Sequence, residues 1–532
     1  MRLDWTNPYL SARSAVFARS VVTASHPLAA QAGLRVLAQG GNAVDAAVAG
    51  AAVLAIVDPT ANGLGADCCA LIWDGARLHG LNATGPSPAR WDAAYFQRKH
   101  QGVLPERGWD SVTVPGAVAG WTALHARFGL LSLSDVLGPA IEYAEKGYAV
   151  SVSLQRKWLM HADALAGQPG FAEHFLPFGR SPAIGEHFVL RGAAGTLRRI
   201  ASSGGRDFYE GETAHKLVAH AQAHDAVLSL SDLRGYTPLW SDPVSLNYRG
   251  HAVHQLAPNG AGIGTLIALG ILSHYDIGEF SADRAETQHL LIEAAKLAQG
   301  DVQSVVADAR AMTVCASELL DPAHLRSLSR RIDAKRAQIH GPAKASASGA
   351  ACLTAADRNG MMVSLVQSNH VGFGAGVIVP GTGISLQNRG SAFDPNPAHP
   401  NGVAGNKLPL QTGTPCFVSR DGAPLLSVAA AGEGMQVQAE LQWLVRLIDY
   451  GQQPQAAADA PRWKWRHGLS VSCEPTMPAA LRACLGARGH MAEAAVQGDF
   501  GSAQAVLRLG DPAVHGYAAA SDSRRDGLAA GF

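Results

Sequence analysis

Net charge is the first property that this sequence lacks. Its 43 Lys and Arg residues balance 43 Asp and Glu residues, and charged residues make up only 16% of the 532-residue chain. Proteins that bind nucleic acid or an anionic membrane surface carry an excess of positive charge, so we expect neither kind of partner.

Long apolar runs and paired cysteines are also scarce. The longest apolar stretch, Ala43 to Val57, has 15 residues and contains Asp45, whereas a membrane-spanning helix needs about 20. The first 20 residues contain no apolar core followed by a small-residue cleavage site, so we predict no secretory signal and a cytoplasmic protein. Seven cysteines, of which only Cys68 and Cys69 are adjacent, give neither a disulfide framework nor a CxxC metal motif, and buried free thiols are expected.

Local patterns predict alternating helices and strands. We expect helices over 29–38 and 43–55, separated by Gly-Gly-Asn at 40–42, and a hairpin of strands 71–73 and 78–81. Helical patterns dominate residues 115–330. Beyond them we expect two strands, 352–357 and 361–368, joined by a turn at 358–360.

The most specific motif is SGAACLTAADRNGMMVSLVQSNHVGFGAG at 348–376. It occurs in order with RGWDSVTVPGAVAGWTALHARFG at 107–129, NKLPLQTGTPCFV at 406–418 and SDSRRDG at 521–527. Together these segments resemble the γ-glutamyltransferase family of N-terminal nucleophile hydrolases, and the resemblance extends from about residue 21 to 531. Within the family the chain is similar to the cytoplasmic branch that includes oxamate amidohydrolase.

This resemblance implies a four-layer α/β/β/α fold and a precursor that cuts itself. Residues 1–349 would be the large-subunit-like region and 350–532 the small-subunit-like region of one intertwined structural domain. The processing loop would lie at about 341–349.

The residue after the cut is the centre of the expected chemistry. In such enzymes it supplies a hydroxyl or thiol nucleophile, and its new α-amino group acts as the base. The family's threonine aligns with Ala350 when Asp357, Gly360 and Ser364 are held in register. Alanine has no oxygen, so we expect neither self-cleavage nor acyl transfer.

Two histories could explain the alanine: a single replacement in an otherwise intact site, or an older loss of function. Three features favour the older loss: the absence of arginine from 82–88, the presence of Glu433 and the presence of Gln411.

Cys352 is an alternative nucleophile. Because strand side chains alternate, it would share a face with residue 350, displaced by about 6.6 Å. A misplacement of about 1 Å can cost a hundredfold in rate, so a packed core thiol is the favoured interpretation.

The resemblance also assigns pocket residues. The catalytic candidates beside Ala350 are Ser368, His370, Gly432 and Glu433, and the substrate-binding candidates are Thr84, Asn369, Arg389, Gln411 and Thr412. The family's arginine clamp for the substrate α-carboxylate is missing from NATGPSP at 82–88. Glu433 stands where a glycine of the oxyanion hole is expected and would oppose developing negative charge, although a register that uses Gly432 and Gly434 remains open.

Two further residues keep alternatives open. Arg389 could bind a carboxylate or only cover a loop, and Asp394 could hold a substrate amino group if the register shifts.

Three hypotheses follow for function. The first is a γ-glutamyltransferase-family amide hydrolase scaffold that is unprocessed and inactive; the second is a non-catalytic binding or assembly protein for a small carboxylate or amide. The third is an active enzyme with unfamiliar chemistry around Cys352, His370 and Glu433.

No cofactor or metal is expected. GFGAG at 372–376 does not match the GxGxxG nucleotide motif, and the histidines at 215, 220, 251 and 254 have no metal-ligand spacing with acidic partners. A homodimer is left open.

Overall fold

The computed structural model describes residues 13–341, 349–432, 434–495 and 500–532. The predicted processing loop therefore lies mostly outside the described residues. The proposed division at 349/350 into two regions stays a prediction.

The strands in chain order are β1 (Val16–Ala18), β2 (Val21–Ala24), β3 (Asp67–Trp73), β4 (Leu78–Ala83), β5 (Tyr148–Ala149), β6 (His187–Phe188), β7 (Leu239–Ser241), β8 (Val244–Tyr248), β9 (His251–Gln255), β10 (Ala351–Ala356), β11 (Met362–Ser368), β12 (Ile378–Val379), β13 (Ile384–Ser385), β14 (Pro415–Arg420), β15 (Ala423–Ala431), β16 (Trp463–His467), β17 (Ser470–Cys473), β18 (Met491–Ala494), β19 (Ser502–Arg508), β20 (Tyr517–Ser521) and β21 (Leu528–Gly531).

The α-helices are α1 (Pro27–Ala38), α2 (Ala43–Val57), α3 (Ala93–His100), α4 (Ala117–Phe128), α5 (Leu133–Lys146), α6 (Val152–Leu165), α7 (Phe171–Phe175), α8 (Ala193–Ser203), α9 (Arg206–Glu210), α10 (Glu212–Gln222), α11 (Leu230–Arg234), α12 (Ile263–Leu272), α13 (Ala285–Val305), α14 (Ala316–Leu319), α15 (Pro322–Ser329), α16 (Gln436–Ile448), α17 (Pro454–Asp459) and α18 (Ala479–Ala487).

Two large sheets form the centre of the molecule. Among the described residues one has the order β1-β20-β19-β15-β14-β9-β8 and the other β21-β2-β10-β11-β3-β4-β7. Strands β10 and β11 of the second sheet pack against β15 and β19 of the first. Helices α1, α2 and α4 cover the outer face of the second sheet, while α12 and α16 pack on the first. The arrangement is the predicted four-layer α/β/β/α sandwich.

Helix α2 explains why an acidic residue lies in the longest apolar run. Every residue of the helix is buried, as expected for a helix that is apolar on all sides. Asp45 occupies the first turn, where its carboxylate accepts hydrogen bonds from Asn42 N at 3.1 Å and Leu130 N at 3.0 Å. The bond from Asn42 N completes a capping box, and the bond from Leu130 N further satisfies the buried carboxylate at the helix N-terminus. No helix of the described segments is long and apolar enough to cross a bilayer.

The predicted elements around the family motif are present with small differences in length. The two N-terminal helices run over Pro27–Ala38 and Ala43–Val57, and β10 and β11 flank the predicted turn, with Gly360 at φ +96°. The hairpin strands are longer than predicted, since β3 begins at Asp67. Among the added residues, Asp67 pairs with Ser368 of β11, and Cys68, Cys69 and Ala70 pair with both β4 and β11.

Candidate functional site

The backbone at residue 350 is held from three directions. Ser368 Oγ donates a hydrogen bond to Gly349 O at 2.5 Å and accepts one from His370 N at 2.7 Å. Gly349 N donates to His370 O. Arg525 Nη1 donates to Ala350 O at 2.7 Å, and the next residue begins β10. The position predicted to carry the nucleophile therefore has a fixed backbone and a fully buried methyl side chain.

Cys352 is sealed between the two sheets. It packs in a small cluster with Ala350, Val366, Ala429 and Ala431. Burial raises the pKa of its thiol to about 12, which disfavours the nucleophilic thiolate. The arrangement fits the packed thiol that the sequence favours.

The other cysteines depart in part from expectation. All seven are free thiols. Cys315 and Cys484 are exposed rather than buried, because Cys315 caps the short helix α14 and Cys484 lies on an outward face of α18.

Arg389 lies inside the protein rather than on its surface. Its guanidinium is fully buried, and its Nε donates to Asp67 Oδ2 at 2.9 Å. Its Nη1 donates to Thr412 Oγ1 at 2.9 Å and lies 2.8 Å from His370 Nδ1. Three of the predicted site residues thus form one buried network with Asp67, which the sequence analysis did not single out.

The protonation of His370 follows from this network. An arginine can only donate, so Nδ1 must accept and the ring proton resides on Nε2. Burial, reinforced by the charges of Arg389 and Arg107, lowers the pKa of His370 well below its ordinary value. The imidazole is therefore neutral, and the backbone of this residue is left-handed, with φ +76°.

Gln411 and Thr84 contact each other just beyond the end of β4. Gln411 Nε2 donates to Thr84 Oγ1 at 2.9 Å, and Gln411 Oε1 accepts from Gly413 N at 2.9 Å. The amide of Gln411 thus ties segment 82–88 to the loop that carries Thr412.

A cavity of about 1020 Å³ opens beside these residues. Its wall contains two predicted site residues, His370 and Thr412, and also Asp394, Arg331, His340 and Phe393. Asp394 is thus placed in the wall, where its Oδ1 accepts from Asn396 N at 2.8 Å. Arg331 and His340 were missed, because no motif of the sequence connects residues 331–340 with this pocket.

The predicted oxyanion-hole segment follows β15. Gly432 and Gly434 have φ values of +142° and +68°, conformations that glycine adopts readily. Glu433 lies outside the described residues. The choice between the two registers stays open.

One cluster outside the pocket bears on the expectation of no metal. A ring nitrogen of His289, a ring nitrogen of His490 and a carboxylate oxygen of Glu293 lie within 4.8 Å of one another. Lys296 Nζ lies 2.6 Å from Glu293 Oε1, and His340 Nε2 lies 2.6 Å from Glu293 Oε2. The lysine ammonium already neutralises this carboxylate, so the cluster does not need a metal ion for charge balance.

Comparison with known proteins identifies the family of this fold and site. The sequence profile of the family described as Gamma-glutamyltranspeptidase matches residues 29–532. The chain belongs to the γ-glutamyltranspeptidase family.

Relatives within this family cover the chain almost completely. It is 34% identical to the glutathione hydrolase-like YwrD proenzyme of Bacillus subtilis, over 98% of the chain and 100% of the relative. It is also 34% identical to the oxamate amidohydrolase proenzyme of Klebsiella pneumoniae, over 98% of the chain and 99% of the relative. The crystal structure of cephalosporin acylase from Bacillus halodurans matches with a TM-score of 0.95 and 38% identity, covering 100% of this chain and 99% of that one.

The γ-glutamyltranspeptidase-family scaffold therefore brings together most of the predicted pocket residues. Ser368, Asn369 and His370 follow one another at the end of β11, and Arg389 joins His370 to Thr412. Their catalytic and substrate-binding roles remain predictions. The family scaffold is that of an amide hydrolase of the γ-glutamyltranspeptidase and acylase type.

Proposed function

We propose that this chain keeps the amide-hydrolase scaffold of its family but remains a single uncut chain without turnover. The observation that carries the proposal is the side chain of residue 350, which is a buried methyl group immediately before β10. Relatives named as proenzymes support a cleavage event in this family, and the resemblance of this sequence to the family implies a cut between residues 349 and 350.

The surroundings support a site that could still act if a hydroxyl were present. The carbonyl of residue 349 accepts a hydrogen bond from Ser368, and the carbonyl of residue 350 accepts one from Arg525. These contacts would orient the peptide bond that is to be cut, which is the positioning contribution that catalysis requires. The neutral His370 lies next to them and lines the cavity.

A second candidate function is the binding of a small carboxylate or amide without chemistry. The cavity of about 1020 Å³ favours it, because the volume is at the upper end of the range of small-molecule sites, about 300–1000 Å³. Relatives whose names include oxamate amidohydrolase and cephalosporin acylase support amides as the ligand class.

Intact-mass spectrometry under denaturing conditions tests the first proposal. We expect the original chain to stay whole and Ala350→Thr to split into fragments of 349 and 183 residues, which together make the 532 residues of the chain. Ala351→Thr is the matched control, because it adds the same hydroxyl one position away, on the opposite face of β10.

Each outcome separates the hypotheses. Splitting of the original chain would overturn the proposal, and the first residue of the new fragment would identify the nucleophile; loss of splitting in Cys352→Ala would point to that thiol. If Ala350→Thr also stays whole, the loss extends beyond the nucleophile and the binding function becomes the better description. If the variant splits, its turnover of glutathione and oxamate can be compared with that of the original chain.

A further inference from the structure

A short surface segment after α15 carries positive charge that no carboxylate balances. Arg330, Arg331, Lys335 and Arg336 are all exposed. In the described part of the chain, none of these four side chains has an ion-pair or hydrogen-bond partner. The chain as a whole has no net charge, so the excess is local, and like charges this close repel each other in the free protein. Their grouping therefore needs an explanation other than the stability of this chain.

The backbone of this segment is held in place, although residues 331–340 form neither a helix nor a strand. Asp333 O accepts a hydrogen bond from His289 Nε2 at 2.8 Å, and Gln338 O accepts one from Lys296 Nζ at 3.0 Å. Both donors are buried side chains of α13. The cluster around His289 and Lys296 described above thus supports an exposed segment from below. A backbone fixed in this way loses less entropy when it binds a partner.

Arg488 ties the same segment down from its other side. Its Nη1 donates to Ala334 O at 2.9 Å, and its own carbonyl oxygen accepts from Ala337 N at 2.6 Å. Ile332 and Ala337 are buried, so the charged side chains that lie between them face solvent. The fold therefore presents these cations outward on a fixed backbone.

Two large apolar side chains are exposed at the end of this surface. Ile339 is 65% exposed, and Met491 at the start of β18 is 58% exposed. A Cβ atom built on Gly468 would lie 4.0 Å from the Ile339 side chain, and Met491 N donates to Leu469 O at 2.8 Å. Both side chains therefore border the turn between β16 and β17. Exposed apolar side chains that lie together beside polar ones mark interaction sites.

The chemistry of this surface selects among anionic partners. Arginine guanidinium groups bind carboxylates through two parallel hydrogen bonds, and aliphatic side chains pack on the apolar side chains of a protein. Nucleic-acid-binding surfaces combine net positive charge with aromatic side chains for base stacking, whereas this chain is neutral and the exposed side chains named above are not aromatic. Interfacial membrane anchors are amphipathic helices, and this segment is irregular. An acidic, partly apolar peptide is the partner that fits.

We propose that this surface is a docking site for an acidic, extended segment of a partner protein. The basic docking surface consists of the four cations and the two apolar side chains described above: Arg330, Arg331, Lys335, Arg336, Ile339 and Met491. Carboxylates of the partner pair with the cations, and apolar side chains of the partner cover the two apolar residues. Arg331 also lines the large cavity, so a docked segment lies at the rim of that cavity. This docking site goes beyond the proposed function, because it involves neither cleavage nor an amide ligand.

Fluorescence anisotropy on the full-length chain tests the basic docking surface. The probe is a fluorescein-labelled peptide in which Glu and Leu alternate over about 12 residues, enough to extend about 40 Å. We expect saturable binding in the micromolar range that weakens as salt is added, because exposed charges are screened. The double variant Lys335→Glu/Arg336→Glu should bind the peptide about tenfold more weakly, since it replaces two attractive contacts with two repulsive ones.

The double variant Arg77→Glu/Arg234→Glu is the matched control. Arg77 lies between β3 and β4 and Arg234 ends α11; both are exposed and have no ion-pair partner among the described residues. The change in net charge is the same, so peptide affinity should stay within about twofold of the original. Ile339→Gln tests the apolar part: it should weaken binding of the Glu-Leu peptide and leave that of an alternating Glu-Gly peptide unchanged.

Three results would overturn the basic docking surface. The first is the absence of saturable peptide binding, and the second is equal weakening in the two double variants. The third is tighter binding of single-stranded DNA of the same net charge, or of phosphatidylglycerol vesicles, since the surface would then recognise a polyanion or a membrane. Thermal melting verifies folding, and Lys335→Gln/Arg336→Gln replaces the charge reversal if that variant is unfolded; it should weaken peptide binding in the same direction. None of these results bears on whether the chain is cut, which the mass test decides separately.

Discussion

Replacing Glu440 by glutamine should remove a pH dependence of stability that this buried carboxyl group imposes. Glu440 lies in α16 and is fully buried. Its Oε2 accepts from Gln255 Nε2 at 2.8 Å and from Thr265 Oγ1 at 2.9 Å. Burial outweighs these bonds and raises the pKa of Glu440 to about 8, because removal from water disfavours the charged form.

The direction of the effect follows from the two states of the group. The unfolded chain loses this proton near the ordinary pKa of 4.5, whereas the folded chain keeps it up to about pH 8. The contribution of this group to the stability of the folded chain is therefore fully present below pH 4.5. It is lost as the pH rises from 4.5 to about 8.

The magnitude can be converted into a melting temperature. At about 1.4 kcal/mol per pKa unit, the loss amounts to about 5 kcal/mol at most. An unfolding entropy of about 2.1 cal/mol/K per residue gives about 1.1 kcal/mol/K for a chain of this length, so the change in Tm is about 4 °C. Glutamine resembles the protonated carboxyl group and should not lose this stability.

Differential scanning calorimetry at about pH 5 and about pH 9 measures the difference. We expect Glu440→Gln to melt with the original chain at the lower pH and up to about 4 °C above it at the higher pH. Glu493→Gln, which removes an exposed carboxylate, controls for the loss of one charge. A variant that melts below the original chain by the same amount at both pH values would refute the reasoning.

Two further predictions concern thiols and a buried ion pair. Iodoacetamide should label the exposed Cys315 and Cys484 in the native chain and leave Cys352 unlabelled until the protein unfolds, as measured by peptide mass spectrometry; native labelling of Cys352 would contradict the sealed cluster. Asp67→Asn strands the buried Arg389 charge and should cost about 3–5 kcal/mol, or about 3–4 °C in Tm. Adding Arg389→Met should restore most of that loss, and an Asp67→Asn single variant with an unchanged Tm would argue against an ionised pair.

Local features of the fold could be predicted because they depend on neighbours in sequence. The helix over 43–55 and the strands on either side of Gly360 follow from apolar periodicity and turn residues, which act over a few positions. The family motif added the four-layer architecture, which local patterns cannot give. Element ends were less accurate, as the early start of β3 at Asp67 shows.

The pocket could be predicted only in part, because its contacts join distant positions. The Arg389–Asp67 pair spans 322 positions of the chain and the Gln411–Thr84 bond spans 327. A single sequence contains no signal for such pairings.

The interleaving of the second sheet has a consequence for expressing the protein in pieces. Strands β2, β3, β4 and β7 come from before residue 350, and β10, β11 and β21 come from after it, yet β2 lies between β21 and β10. Either fragment alone would expose unpaired strand edges that aggregate readily. Fragments 1–349 and 350–532 should therefore need to fold together in one cell. A chain cut at this point should still elute from a sizing column as a single particle, so only a denaturing separation can reveal the cut.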